Sequence, residues 1–202
     1  MLRSAVELAD AQGLAALTIR SLARALGVKP MSIYHHVANK EAILDGIVDA
    51  VFGEIHVPST HVPWREAITA RLGSAREVLL SHPWAVPLME SRSSPGPATL
   101  RQHEATLAVL RGAGFPLPAA AHAYALLDAY LYGSVLQASA LPFDDADSAA
   151  EVAGSMMTAF SAGQYPHLVE IATQHVLQPG YSFGDEFGFG LELILDGLER
   201  LL

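Results

Sequence analysis

Residues 17–43 constrain the fold of this chain more than any other stretch, because they combine two short helical patterns with a tight turn and a third helix start. Thr18 is a favourable N-cap, since its hydroxyl can accept a backbone N–H of the first turn. Apolar side chains then recur at helical spacing, at Ile19, Leu22, Ala23 and Leu26. Gly27 follows, where a helix end favours left-handed backbone. This order predicts a helix-turn-helix.

The second helix of this unit is predicted to begin at Pro30, because proline is tolerated in a first helical turn. Ile33 and Val37 lie one turn apart, so we expect them to pack inward. The remaining side chains of this helix point elsewhere: Met31, Ser32, His35 and His36. A short helix with an outward polar face after a glycine turn is typical of a helix that reads DNA.

The distribution of charge supports that interpretation, although the whole chain carries a net charge of −9. Residues 1–40 hold five basic and two acidic side chains, a net charge of +3, and the acidic excess lies in residues 41–202. Binding to phosphates depends on local charge, so a positive tip on an acidic body is compatible with DNA binding.

Composition excludes several classes of protein. The 202 residues are 51% hydrophobic and include no cysteine, which rules out disulfides and thiolate metal sites. We find no apolar run of about 20 residues that could span a membrane and no signal peptide, so we expect a cytoplasmic protein. No catalytic, phosphate-binding or metal-binding motif is present, which predicts a protein that is not an enzyme and needs no cofactor or metal.

The rest of the chain carries helical patterns and no strand pattern. We predict helices at about 2–12, 39–55, 64–81, 84–90, 98–112, 117–140, 148–162, 166–177 and 183–202. In the helix at 98–112, Leu100, Leu107 and Leu110 are expected to face inward. Two prolines mark a break at 56–63. The prediction is an all-α protein with a helix-turn-helix DNA-binding domain at 1–55, including the connecting helix, and a larger helical effector-binding and dimerisation domain at 56–202.

These motifs resemble a known family. The strings LTIRSLARALGV and SIYHHVANKEAIL closely resemble the DNA-binding motif of TetR-type transcriptional repressors, in particular those related to the tetracycline repressors. LRGAGFPLPAAAHAYALLDAYLYG, PHLVEIA and FGFGLELILDGLERLL are similar to the C-terminal domain of that type. The resemblance implies a repressor that binds a palindromic operator as a homodimer and is released by a small-molecule effector.

The resemblance also assigns candidate DNA contacts by motif position. Tyr34, Lys40 and Thr18 are candidates for phosphates, and Arg20 and His35 for base edges. Ser32 and Met31 are expected to touch base edges or thymine methyls. Lys29 and His36 are further candidates. Pro30 and Met31 differ from the residues of the tetracycline repressors, so the operator sequence is not carried over.

The effector is expected to bind among the helices at 64–81, 84–90, 98–112 and 117–140. The candidate contacts are His56, Trp64, Trp84, Met89, His103, Tyr124 and Asp128. The metal-ligating histidine of the tetracycline repressors falls at Met89, and a thioether is a poor ligand for magnesium. We therefore expect an apolar or aromatic effector rather than a tetracycline–magnesium complex.

The resemblance places the last helix and the long central helix in a four-helix bundle between two copies of the chain. Leu191, Ile194 and Leu198 are the predicted seam residues. Two alternatives stay open on the sequence. One is an activator of the same fold, and the other is a helical ligand-binding module that has lost DNA binding, suggested by a short basic N-terminal arm and only two lysines.

Overall fold

The computed structural model describes residues 1–89, 91–92, 94–141, 152, 154 and 164–202. Within those residues every regular element is a helix, as predicted. The α-helices are α1 Leu2–Gln12, α2 Ile19–Ala25, α3 Pro30–Ile33, α4 Lys40–Glu54, α5 Trp64–Ser81, α6 Val86–Met89, α7 Pro97–Gly112, α8 Leu117–Ala140, α9 Pro166–Ile171 and α10 Asp185–Glu199. Of the predicted helix at 148–162, only residues 152 and 154 are described, and both are helical.

The ends of α2 confirm the predicted cap and turn. The Thr18 hydroxyl accepts the Ser21 N–H at 3.0 Å, and the Ser21 hydroxyl accepts the Thr18 N–H at 2.8 Å, which forms a reciprocal cap. Gly27 has a φ of 66°. The Gly27 N–H donates to Arg24 O, and the Val28 N–H donates to Ala23 O at 3.0 Å. These two hydrogen bonds form a Schellman motif at the end of α2. The turn therefore fixes the direction in which α3 leaves α2.

Helix α3 is short, but helical hydrogen bonding continues beyond it. The His36 and Val37 N–H groups both donate to Ile33 O, at 2.9 and 3.2 Å. The Ile33 side chain is buried in the small core of α1, α2 and α4, and Val37 packs partly against the same core. Asn39 then caps α4 by accepting the Ala42 N–H at 2.9 Å.

Helix α4 belongs to two hydrophobic cores. Its first half contributes Ile43, Leu44 and Ile47 to the core formed with α1–α3, which we call the head. Its second half contributes Val48, Val51 and Phe52 to the core formed with α5–α8 and α10, which we call the body. One rigid helix therefore runs from the head into the body.

Helices α4 and α7 each supply a side chain that binds a backbone group at one end of the other helix. The Asp49 carboxylate of α4 accepts the N–H and the hydroxyl of Thr99, in the first turn of α7, at 2.8 and 3.0 Å. In return, the Gln102 amide donates at 2.6 Å to Ile55 O, at the end of α4. Gly96 allows this approach, because a Cβ there would overlap the Asp49 carboxylate. The two helices are thus bound to each other by polar contacts as well as by packing.

The inward face of α7 differs from the prediction. Leu100 is 53% exposed and Leu107 is half-buried, whereas Leu110 is fully buried as expected. The inward positions near the start of α7 are taken by Thr99, Gln102 and Thr106, which is why the leucine pattern alone was misleading.

The last two helices also differ in detail from the prediction. The helix expected at 166–177 is α-helical only as far as Ile171 and continues as a π-helical turn over Ala172–Val176. Helix α10 ends at Glu199, and Arg65 of α5 binds three of its carboxylates, Glu192, Asp196 and Glu199, at 2.8, 2.8 and 2.9 Å. In the described part of the chain no helix has the length and apolarity to cross a membrane.

Candidate DNA-binding surface and effector pocket

The surface of α3 and the turn after it presents the side chains that the sequence predicted to face outward. Met31 is 70% exposed, and Tyr34, His35 and His36 are exposed as well. Ser32 is half-buried. Because Ile33 is the fully buried anchor, the rest of this short segment is free to contact a partner.

The head carries cations that no neighbouring carboxylate neutralises. Four basic side chains are exposed and form no ion pair with a described residue: Arg20, Arg24, Lys29 and Lys40. The two acidic side chains of α1 are already engaged, and those in the first half of α4, Glu41 and Asp45, pair with Arg92. Glu7 lies 3.8 Å from Arg3, and Asp10 accepts the Trp84 indole N–H at 2.6 Å. The outward charge of the head is therefore positive, as phosphate binding requires. Thr18 is exposed, but its hydroxyl is used in the cap of α2.

A cavity of about 210 Å³ lies where the body meets α4, and we call it the head-side cavity. Two of the predicted effector contacts line it, Met89 from α6 and His103 from α7. The His103 ring is edge-on to Phe52 at 5.7 Å and to Tyr124 at 5.4 Å. The lining thus combines a thioether and one aromatic ring, that of His103, with the polar side chains of Asp45 and Thr99.

A buried polar cluster continues from this cavity into the body. Arg71 is 1% exposed, and its Nη1 lies 3.5 Å from Asp128 Oδ1, a long contact for an ion pair. Burial, and then the Asp128 carboxylate, raise the pKa of Tyr124, so its hydroxyl stays protonated. That hydroxyl lies near Asp128 but has no hydrogen bond of good geometry to a described residue. The cluster holds spare hydrogen-bonding capacity.

The other predicted effector contacts lie elsewhere. His56 is exposed after α4, and its backbone N–H donates to Ser74 Oγ at 2.9 Å. Trp64 packs edge-on against Phe115 at 5.1 Å, and Trp84 binds Asp10 of the head. None of these three side chains lines the head-side cavity.

Arg92 is a functional candidate that the sequence reasoning missed. It lines the head-side cavity, and its Nη1 lies 2.7 Å from Glu41 and 3.4 Å from Asp45, both on α4. The hydrogen bond to Glu41 raises the pKa of Arg92 above its ordinary value. A loop arginine carries no motif, and only the fold brings it to the cavity and to the head at once.

The predicted seam residues of α10 lie mainly on the side of the helix that faces the chain's own core. Leu191 is 3% exposed and Leu198 is also buried, both within the chain's own core, and Ile194 is partly buried against it. Leu191 and Leu198 are therefore covered by their own chain, whereas Ile194 stays partly accessible to a second copy. The exposed apolar side chains of α10 are Phe189, at 67%, and Leu193, at 58%.

Two protein-family models match the chain and together cover most of it. The model described as "Bacterial regulatory proteins, tetR family" matches residues 1–47. The model described as "Tetracyclin repressor-like, C-terminal domain" matches residues 57–202. The chain belongs to the TetR family. The resemblance carried by the two sequence motifs is thereby confirmed.

Individual relatives agree with this assignment. An "HTH-type transcriptional regulator" of Saccharopolyspora erythraea is 41% identical over 133 residues, which span 65% of this chain and 56% of that protein. The "HTH-type transcriptional repressor DrrR1" of Streptomyces coeruleorubidus is 30% identical over 211 residues, covering 100% of this chain and 77% of DrrR1. The TetR family protein ActR of Streptomyces coelicolor, solved in complex with (S)-DNPA, has a TM-score of 0.80 at 29% identity, covering 98% of this chain and 95% of ActR.

As a TetR-family member, the chain is a ligand-responsive, DNA-binding transcriptional regulator. Its relatives are named as regulators rather than as enzymes. Among the residues that the structure describes, no three or more His, Asp or Glu side chains are arranged to hold a metal ion.

Proposed function

We propose that the chain is a repressor that binds a palindromic operator as a homodimer through α3 and leaves it when a small molecule occupies the head-side cavity. The observation that carries this proposal is the exposed face of α3 beside four uncompensated cations. A bacterial regulator of this kind would act on DNA in the cytoplasm.

The proposed division of labour on DNA is the one that the family resemblance assigns, and the exposure of these side chains is compatible with it. Tyr34 and Lys40 would bind phosphates, one through a hydroxyl and the other through charge. Arg20 and His35 would reach base edges, with Met31 positioned for a thymine methyl. Ser32, Lys29, His36 and Thr18 are the remaining candidate contacts.

The effector would be a small, mainly apolar or aromatic molecule. The head-side cavity offers the Met89 thioether and the His103 ring, and the polar cluster around Tyr124 and Asp128 could accept one hydrogen-bonding group of the ligand. The ligand-bound structure of ActR supports a small-molecule effector for this chain. A thioether in the lining argues against a ligand held through magnesium.

Effector binding would be transmitted through α4. Arg92 and Asp45 line the cavity and also form an ion pair, so a ligand that displaces Arg92 would release Glu41 and Asp45 at the head end of α4. Because α4 packs in both cores, its displacement would change the position of the head. In a dimer, such a change alters the spacing of the two reading helices.

The dimer would form through the exposed apolar faces of α8 and α10. Phe189 and Leu193 of α10, together with Leu126 and Leu136 of α8, are large apolar side chains that this chain leaves exposed. Covering them with a second copy would remove apolar surface from water.

The test is selection of bound duplexes from a random library by the purified full chain, followed by affinity measurements on the selected site at several salt concentrations. A near-palindrome whose affinity falls steeply with salt is expected. Folded, dimeric protein that selects no motif would overturn the proposal. A reporter gene behind the selected site then separates repression from activation.

A further inference from the structure

A second cavity, of about 470 Å³, lies between α5, α8, the segment before α10 and the first turn of α10, and we call it the α8–α10 cavity. It shares no lining residue with the head-side cavity. Its α5 residue, Arg76, follows the buried Arg71 by five positions, which places the two about 140° apart around the helix. The α8–α10 cavity therefore lies on a different side of α5 from the polar cluster near the effector pocket.

Two aromatic rings form a fixed wall of this cavity. The Tyr130 and Phe187 rings are stacked, with centroids 5.3 Å apart and an interplanar angle of 14°. The Tyr130 hydroxyl donates to Phe187 O at 2.9 Å and reaches Glu186 O at 3.2 Å. Gly190 leaves room for that hydroxyl, because a Cβ there would overlap it. The ring of Tyr130 is thus held in place before any ligand arrives.

Arg76 lines the same cavity with unused binding capacity. Its guanidinium carbon lies 5.2 Å from the centroid of the Phe187 ring, and its Nε is shielded from solvent without a hydrogen bond. Arg76 forms no ion pair with a described residue, whereas Arg65, Arg71 and Arg92 each pair with a carboxylate. A half-buried guanidinium is normally matched by an anion.

The carboxylate in the described lining does not neutralise Arg76. Glu186 lies 3.3 Å from His175 Nε2 and is not within ion-pair distance of the Arg76 guanidinium. Ser134 and Gln137 add a hydroxyl and an amide to the lining. The cavity therefore offers one cation, flat aromatic surfaces and neutral hydrogen-bonding groups, and its volume is in the range of small-molecule sites.

We propose that the α8–α10 cavity is a second binding site, for a planar aromatic carboxylate. The carboxylate pairs with the Arg76 guanidinium, and the aromatic ring packs against Tyr130 and Phe187. This site is separate from the effector pocket of the proposed function and does not depend on operator binding. Its α8 edge includes Gly133, seven residues after Leu126 and so on the same helical face as the proposed dimer seam.

The test uses the full chain in its native oligomeric state and two probes of matched shape, 2-naphthoate and the neutral 2-naphthamide. Isothermal titration calorimetry is expected to show that 2-naphthoate binds more tightly than 2-naphthamide. Arg76→Gln should lower the affinity for 2-naphthoate by about tenfold or more, because the charge-assisted hydrogen bonds are lost. The affinity of this variant for 2-naphthamide should stay within about twofold of the wild-type value. Arg76→Lys, which keeps the charge, should lower the affinity for 2-naphthoate by less than Arg76→Gln does. Arg101→Gln, at an exposed cation of α7, is the matched control.

The site is distinguished from the effector pocket by a second variant. His103→Ala changes the head-side cavity and should leave 2-naphthoate binding unchanged. Loss of binding in His103→Ala, equal affinity of wild type and Arg76→Gln in folded protein, or no binding at all would each overturn the proposal.

Discussion

At the scale of single residues, the head separates side chains that hold the fold from side chains that stay available. Ile33 is buried, whereas Tyr34, His35 and Arg20 are exposed and make no ion pair with a described residue. The sequence could predict this division because helical spacing alone decides which side chains of a short helix face inward.

We expect Arg20→Ala to weaken operator binding by about 1–3 kcal/mol and to relax preference at one base position, since a base-edge contact is lost. Fluorescence anisotropy with the selected operator measures this. Arg101→Ala removes the same charge from α7 and should change the affinity by less than about twofold, because exposed charges far from the phosphates are screened. Equal effects of the two variants would show that only net charge matters.

The two faces of α10 give a second residue-scale prediction. Leu191→Ala should lower the free energy of unfolding by about 2–5 kcal/mol, because it leaves a cavity in the core. Leu193→Glu should instead yield monomers in sedimentation velocity, with the helical circular dichroism retained, because it puts a charge on the exposed apolar face. A dimeric Leu193→Glu protein would exclude this seam.

At the scale of elements, local signals placed most helix ends correctly. Thr18, Gly27 and Asn39 act within a few residues of their own position, so their roles could be read from the sequence. The partners of Asp49 and Gln102 lie about 50 positions away, and no local pattern indicates them. The buried face of α7 and the role of Arg92 were missed for the same reason.

The turn between α2 and α3 can be tested with two glycines. Gly27→Ala should destabilise the chain by about 1–2 kcal/mol, because an L-residue is strained at a φ of 66°. Gly73→Ala, inside α5 with open space around the added methyl, should stabilise it by about 0.5–1 kcal/mol. Thermal denaturation of both variants provides the comparison, and a neutral Gly27→Ala would argue against the Schellman turn.

At the scale of the whole molecule, polar contacts fasten the head to the body. His82, at the end of α5, lies with Nδ1 at 2.7 Å from Asp10 and with Nε2 at 3.3 Å from Glu54. Trp84 donates to the same Asp10 carboxylate. Three segments that are distant in sequence therefore meet at one histidine.

We expect Asp10→Ala to reduce the cooperativity between head and body. The change leaves the Trp84 indole N–H and one His82 nitrogen without this acceptor, and an unpaired, partly buried donor costs about 1–3 kcal/mol. Differential scanning calorimetry should show the head melting before the body. Glu7→Ala, which removes only an exposed pair worth about 0.5 kcal/mol or less, should leave a single transition. A single transition in Asp10→Ala would refute the role of this contact.

The sharing of α4 between two cores has a consequence for hybrids, in which the head of one regulator is joined to the body of another. The first family match ends at residue 47, in the middle of α4. A graft made there would join two parents inside one helix. It would keep Asp49 with Thr99, because both residues come from the parent that supplies the body. A graft made after Ile55 would carry Asp49 away from the α7 that it caps. A head exchanged at residue 47 therefore leaves the Asp49–Thr99 and Gln102–Ile55 contacts intact within the body. A head exchanged after Ile55 needs a body that supplies a matching Thr99 and Gln102, so the position of the join decides whether a hybrid keeps the fastening between α4 and α7.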